Sequence, residues 1–476
     1  MKRISIKNSL ENVGKKIKIY GWVESRRDMG KLIFADIIDA TGVLQVVFPP
    51  KDKDLLKIAS SLRTSDVVEM EGMVNKRPEG MINKELETGK IELSVTKLII
   101  LNKAETPPFE LNTDGYEVNE ELRLKYRYLD LRRRRLQNNL RIRHKANQFI
   151  RKYLTEQNFV EIETPILTKS TPEGARDFIV PSRLHKGKFY ALPQSPQQYK
   201  QLLMVAGFEK YFQIVSCLRD EDSRSNRAYG EFTQLDLEMS FVEQNDILEL
   251  MEEMFTQMII ELFPEKKMTK TPWPRIDYTQ AMKKYGKDDP DIRKNKDDKN
   301  ELGFAWIVNF PLFTEQSEDD FFHGSGKSKW APSHHMFTAP HPDDVSLLDK
   351  DPSKVRGLQH DLVLNGSEVG GGSIRIHDPK IQEKIFDLIG FTAEQKEQFS
   401  HMLTAFKYGV PPHGGIAPGI DRLLTQILGE PSLREVIAFP KSGDGRDLMM
   451  DAPSEINENQ LKELGISINK KEKKKN

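Results

Sequence analysis

Between residues 234 and 241 two kinds of side chain alternate without a break, Gln234, Asp236, Glu238 and Ser240 against Leu235, Leu237, Met239 and Phe241. Only an extended strand has that two-residue period, and its apolar face has to be buried in a sheet. The polar face either meets solvent or floors a polar pocket. Residues 211–219 read as a partner strand, joined to the first by a charged loop.

Upstream, the alternation recurs over residues 16–23, 32–38, 43–48, 66–74 and 91–101, which predicts five strands. One amphipathic helix, residues 54–62, interrupts them between the third and fourth, with Leu55, Ile58, Ala59 and Leu62 on one face. That order predicts a five-stranded OB barrel, a fold that binds single-stranded nucleic acid on its second and third strands. Arg26, Arg27, Phe34 and Gln45 fall near the first turn and on strands two and three. They offer cations for phosphate, an aromatic plane for stacking and an amide for a base edge, although an aromatic in a barrel serves equally as core.

Residues 101–121 mix Pro107, Pro108, Asp114 and Gly115 with acidic side chains, the composition of a linker. The expected organisation is a barrel domain over 1–105, a hinge over 106–137 and a second domain over 138–476. A basic start at 132–135 leads into a helix with the stripe Ile142, Ala146, Phe149, Ile150, Tyr153 and Leu154, and a short strand follows at 159–163. Residues 283–300 carry both signs of charge and almost no apolar side chains, so they form a surface connection, after which 304–310 resume as a buried strand.

Lys plus Arg and Asp plus Glu both number 72, so a polyanion-binding surface has to be local. The single cysteine, Cys217, excludes an intramolecular disulfide and a cysteine-based zinc site, and fits a small buried side chain in a reducing cytoplasm. No apolar run nears the roughly 20 residues that cross a bilayer, and the first ten residues lack the apolar core of a signal peptide. A cytoplasmic protein with no membrane partner is expected, and its Lys-rich end at 470–475 reads as a solvated tail.

Asn365-Gly366 is a strong turn signal, and a two-residue turn there sets Glu368 opposite Val363 and diagonal to Asp361. Two carboxylates so placed can share Mg²⁺ on nucleotide phosphates or simply be solvated. Gly370-Gly371-Gly372 let a ligand approach the backbone, and Arg375 offers a planar donor for carboxylate or phosphate. Residues 323–328 imitate a phosphate-cradling loop, but position 321 is Phe where that spacing needs glycine. Residues 414–424 read as a Gly-rich strand entering a helix, with Arg422 able to reach a phosphate.

Together these segments resemble class II aminoacyl-tRNA synthetases, most closely the bacterial-type aspartyl-tRNA synthetase family. The helix before Phe159 and the strand ending at Pro165 match the first class motif, a homodimer interface in the family. Arg219-Asp220-Glu221 through Phe232-Thr233-Gln234-Leu235-Asp236 match the second, and Gly419-Ile420-Asp421-Arg422 the third. Segments 171–177, 194–200, 334–338 and 368–375 narrow the match to the member.

The resemblance implies a multidomain chain, an OB-fold anticodon-binding domain followed by an α+β catalytic domain built on an antiparallel sheet. It implies that Lys200 and Arg375 pair with the side-chain carboxylate of L-aspartate, that Glu173, Gln197 and Asp236 hold its amino group, and that His334 or His335 closes over it. Arg219 would bridge the substrate carboxylate and the α-phosphate, with Arg422 as the second catalytic cation. Glu221, Glu368, Gly419 and Arg422 would bind ATP, Asp361 with Glu368 would hold Mg²⁺, and no zinc is implied. The implied reaction forms aspartyl-adenylate, releases pyrophosphate and transfers aspartate to the tRNA 3′ end without a covalent nucleophile, mainly by positioning and electrostatics.

Two departures stand out. Family members carry a large extra domain where this chain has only residues 283–300, and the 222–231 loop is one residue longer than the family pattern and lacks its usual Gln near Ala228. The alternatives are an asparaginyl-tRNA synthetase, against which a lysine facing a neutral amide argues, and a non-catalytic tRNA-binding paralogue, which would have lost ATP or magnesium groups.

Overall fold

The computed structural model describes residues 1–30, 32–171, 173–221, 229–316 and 328–469. Lys31, the loop residues 222–228, most of the 323–328 segment and the Lys-rich tail lie outside the described residues. The chain divides into two compact units, Met1–Val118 and Asn119–Asn476.

In the first unit β1 (Lys16–Asp28), β2 (Ile33–Asp39), β3 (Gly42–Phe48), β4 (Val67–Lys76) and β5 (Ile91–Asn102) close into a barrel in the order β1-β2-β3-β5-β4. The two-residue period explains the closure: Ile17, Ile19, Ala35, Ile37, Val46 and Val68 point inward and are fully buried. Helix α1 (Lys53–Ser60) starts where Asp52 accepts from the Leu55 amide and buries Leu55 and Ala59 against the barrel. It ends before Leu62, and Ile58, expected on its apolar face, is 40% exposed.

The second unit is built on one sheet of eight strands: β6 (Val160–Glu161), β7 (Lys210–Arg219), β8 (Gly230–Ser240), β9 (Arg275–Asp277), β10 (Phe304–Val308), β11 (Gln359–Leu364), β12 (Ser367–Ile374) and β13 (His413–Pro418). Their order is β9-β10-β11-β12-β13-β8-β7-β6. The strands from β10 across to β7 are antiparallel, as expected, whereas the edge strands β9 and β6 run parallel to their neighbours.

Helices α2 (Arg134–Glu156), α4 (Gln244–Leu262) and α6 (Ile420–Leu428) cover one face of this sheet, while α3 (Gln197–Val205) packs nearer the other. Ile150 and Leu154 of α2, Met251 and Phe255 of α4, and Leu423 and Ile427 of α6 form one core with Leu235, Leu237 and Met239. The alternation in β8 therefore sends Asp236 and Glu238 to the opposite face. Phe241 does not extend the apolar row: the strand stops at Ser240, and Phe241 takes a φ of 58° and is exposed.

Part of the stretch expected as a hinge folds into the second unit. Arg123, Arg127 and Arg133 converge on the buried Asp130, and Arg123 and Arg135 both hold Glu435. A buried carboxylate needs such partners, so these arginines dock the segment after residue 119 onto the rest of the second unit. The segment after α5 (Tyr278–Tyr285) has no long helix or strand before residue 301, and Glu301 ties it down by accepting from the Lys294 and Asn295 amides. Among the described residues no helix is long and apolar enough to cross a membrane.

Candidate active site

Lys200 lies on the first turn of α3 with its side chain buried over β8. Its ammonium is 3.1 Å from Asp236 Oδ2 and 3.2 Å from Glu238 Oε2. Arg375, one residue past β12, donates through Nε and Nη2 to the two oxygens of the same Glu238 at 3.0 and 3.2 Å, and through Nη1 to Ser373 Oγ at 2.7 Å. A Cβ at Gly415, the cross-strand partner of Glu238, would collide with Glu238 Oε2, so only glycine leaves the carboxylate its place.

Burial raises the Glu238 carboxyl, but Arg375 and Lys200 outweigh it and bring it down to about 2. At Asp236 burial wins over Lys200, and the carboxyl is pushed up to about 6. Asp236 Oδ1 is buried and has no hydrogen-bond partner among the described residues. A guanidinium carries five N–H groups and an ammonium three, so after these contacts Arg375 and Lys200 each keep donors for a ligand. Spare donors and an orphaned carboxylate oxygen in one cavity complement a small molecule bearing both a carboxylate and an ammonium.

The two histidines separate. His335 is enclosed, and burial with the nearby Arg375 and Lys200 charges lowers it to about 3, so the ring is neutral. Its Nδ1 accepts from the Phe337 amide at 3.3 Å, which leaves Nε2 as the N–H donor, and that atom has no partner among the described residues. His334 is turned toward Asp361, with Nε2 3.5 Å from Oδ2, and sits edge-on to Phe310. Gln197 lines the cavity, but Glu173 does not: its carboxylate accepts from Thr171, Ser195 and Gln198 in the neighbouring pocket, and among the described residues only Ser195 borders both.

The cavity continues past Arg219, Glu221, Phe232, Glu368, Gly419 and Arg422. The Arg219 guanidinium lies over the Phe232 ring, 5.1 Å from its centre, while Nε donates to the Gln194 carbonyl at 3.3 Å. Arg422 on the first turn of α6 donates to the Glu368 carbonyl and stands 3.6 Å from its carboxylate. Two opposed cations, one on a stacked ring and one on a helix start, suit a polyphosphate.

In the β11–β12 hairpin Glu368 pairs with Val363 as expected, but the register then shifts, so that Asp361 faces Gly371. The extra residue is Val369, and this bulge brings Glu368 and Gly371 to one face. A Cβ at Gly371 would stand 3.0 Å from Asp361 Oδ1 and 3.6 Å from Glu368 Oε1, which shows how closely the two acids converge. Burial and then the Glu368 charge raise the Asp361 carboxyl well above its usual range. A divalent cation relieves that repulsion, so the pair fits Mg²⁺. Among the described residues they belong to no group of three or more metal-ligating side chains, so phosphate oxygens would share the ion.

On the barrel, Arg27, Phe34 and Gln45 share the outer face of β1, β2 and β3, where Arg27 Nη2 lies 3.1 Å from Asp36 Oδ2 and 3.3 Å from Gln45 Oε1. Phe34 is outside the barrel core. Arg26 does not join them: one step along β1 it points the other way, to the Ser60 carbonyl. Sequence reasoning missed Glu238, which the β8 alternation put on the polar face, and Gln198, Gln201 and His413, which only the fold brings to the site.

Residues 119–443 match the family model described as tRNA synthetases class II (D, K and N), and residues 17–101 match the OB-fold nucleic acid binding domain. An aspartate–tRNA(Asp/Asn) ligase of Rubrobacter xylanophilus is 41% identical, the match covering 96% of this chain and 95% of that one. An aspartate–tRNA ligase of Staphylococcus haemolyticus is 38% identical over 96% and 97%. The first alignment runs to 581 positions against a chain of 476, so that relative carries residues this chain lacks. Among solved structures, asparaginyl-tRNA synthetase of Pyrococcus horikoshii with asparaginyl-adenylate superposes with a TM-score of 0.74 at 23% identity, covering 93% of this chain and 98% of that one. Aspartyl tRNA synthetase of Entamoeba histolytica gives 0.72 at 22%, covering 92% and 91%, and both likenesses concern the fold. The chain belongs to the class II aminoacyl-tRNA synthetases, in the aspartate–tRNA ligase family.

Proposed function

We propose that this enzyme activates L-aspartate with ATP and transfers it to the 3′ end of tRNA. The observation that carries the reading is the shared cavity of Lys200 and Arg375, whose spare donors suit a carboxylate while Asp236 Oδ1 suits an ammonium. The substrate side chain pairs with Lys200, Arg375 and the His335 Nε2–H, and its ammonium with Asp236 and Gln197. Glu173 acts one step back, through Ser195. Asparagine would set its amide N–H₂ against donors, a mismatch costing on the order of several kcal/mol.

The α-carboxylate oxygen then attacks the α-phosphorus, and the bond to pyrophosphate breaks. Arg219 stabilises the charge growing on the α-phosphate, while Glu221, Gly419 and Arg422 hold the nucleotide. Magnesium, held by Asp361 and Glu368, neutralises phosphate charge when bound. A ribose hydroxyl of the tRNA terminus next attacks the mixed anhydride and adenylate leaves. The barrel, a nucleic-acid-binding fold, reads the anticodon with Arg27, Phe34 and Gln45. The chain pairs with a second copy through α2 and the exposed edge strand β6, and works in the cytoplasm, where the buried Cys217 thiol stays reduced. Aspartate-dependent ATP–pyrophosphate exchange is expected in the native enzyme and is expected to vanish in Arg219→Ala; exchange surviving that change would overturn the mechanism.

A further inference from the structure

Behind the substrate cavity runs a buried chain of hydrogen bonds that no catalytic step uses. His413, at the start of β13, is fully buried and places Nδ1 2.8 Å from the Pro411 carbonyl oxygen. Its Nε2 lies 3.0 Å from Gln201 Nε2, and Gln201 Oε1 accepts from Gln197 Nε2 at 3.1 Å. Gln197 is thus bonded through its backbone N–H to Ser195 and through Nε2 to Gln201, and it lines the cavity.

The polarity of this chain follows from its far end. A carbonyl oxygen only accepts, so Nδ1 must carry the proton that bonds Pro411. A neutral ring then has a lone pair on Nε2, which requires Gln201 to present its N–H₂ and leaves its oxygen to accept from Gln197. The Gln197 amide is thereby turned with its N–H₂ inward and its oxygen toward the cavity. Burial lowers the affinity of His413 for a second proton, which keeps the ring neutral. A glutamine turned the other way would meet an ammonium with two N–H donors.

We propose that His413 is a positioning residue: through Gln201 it fixes the Gln197 amide so that an oxygen, not an N–H₂, faces the ammonium of the amino-acid substrate. The inference rests on the aspartate-activation reading, but its first test does not. The ¹⁵N shifts of the His413 ring in the substrate-free enzyme report which nitrogen carries hydrogen; an Nδ1–H ring is expected, and an Nε2–H ring overturns the proposal whatever the substrate is. In pyrophosphate exchange Gln201→Met should raise KM for aspartate roughly ten-fold, the value of about one lost hydrogen bond, and leave KM for ATP and kcat within about two-fold. Equal losses for both substrates, or no change in the Met variant, would contradict the positioning role, and if that variant fails to fold, His413→Asn is scored by the same split.

Discussion

Lys200 and Arg375 meet at one carboxylate: Glu238 receives the ammonium at 3.2 Å and two guanidinium bonds at 3.0 and 3.2 Å, with all three side chains buried. Two cations do not stay together in a dry cavity unless an anion holds them, so Glu238 is the anchor that keeps the specificity pair loaded before substrate arrives.

Glu238→Gln tests that anchor. Breaking a buried ion pair by removing one partner costs about 3–5 kcal/mol, so urea unfolding should show a loss of that size. Aspartate brings a carboxylate to the same cations and should recover part of it, whereas asparagine should not. A loss below about 1 kcal/mol would mean that Glu238 is not the anchor and that Asp236, the other carboxylate on Lys200, suffices to hold the cations.

The raised Asp236 carboxyl predicts an acid limb. Its ionised form accepts the substrate ammonium, so kcat/KM for aspartate in the exchange reaction should fall as pH drops below about 6, where this carboxyl protonates. The folding linkage has the opposite direction. A carboxyl raised in the folded state favours folding most below its unfolded value of about 3.9, and that contribution is lost as pH rises through about 6. Asp236→Asn should lower kcat/KM and abolish the limb, and an unchanged limb would assign it elsewhere.

Asp361 and Glu368 repel each other in the free enzyme. The raised Asp361 carboxyl costs stability as pH climbs past the ordinary carboxylate range and through its raised value. Asp361→Asn should therefore leave the unliganded enzyme as stable or more stable at pH 8, by thermal unfolding, while raising the magnesium concentration needed for half-maximal exchange. A less stable variant with an unchanged magnesium requirement would remove the pair from metal binding.

Phe34→Ala should weaken tRNA charging and spare exchange, because base stacking is worth roughly 1–3 kcal/mol and plays no part in amino-acid activation. KM for tRNA, measured with labelled aspartate, is the readout; equal losses in both assays would refute the stacking role.

The barrel and the β8 strand were legible because a two-residue period leaves little freedom about which side chains go inward. The same period put Glu238 on the cavity face, but nothing local distinguishes an anchor from a solvated acid; that depends on Lys200 and Arg375, which lie 38 and 137 residues away. Glu368 was placed correctly opposite Val363, while the bulge at Val369 is set by packing of β12 between β11 and β13 and has no signature in the sequence. That Glu173 pairs with Gln198 in the neighbouring pocket, while Gln197 lines the substrate cavity, turns on which side of α3 faces each. Part of the stretch over 106–137 reads as a hinge because Glu435, the carboxylate that Arg123 and Arg135 hold, lies some 300 residues downstream.

Exchange of pyrophosphate into ATP by the native enzyme, run side by side with aspartate and asparagine, is the most direct test of a pocket built for an acidic side chain. Turnover with aspartate and none above background with an equal concentration of asparagine is expected. Exchange with asparagine that exceeds exchange with aspartate would contradict the roles given to Lys200, Arg375 and Glu238.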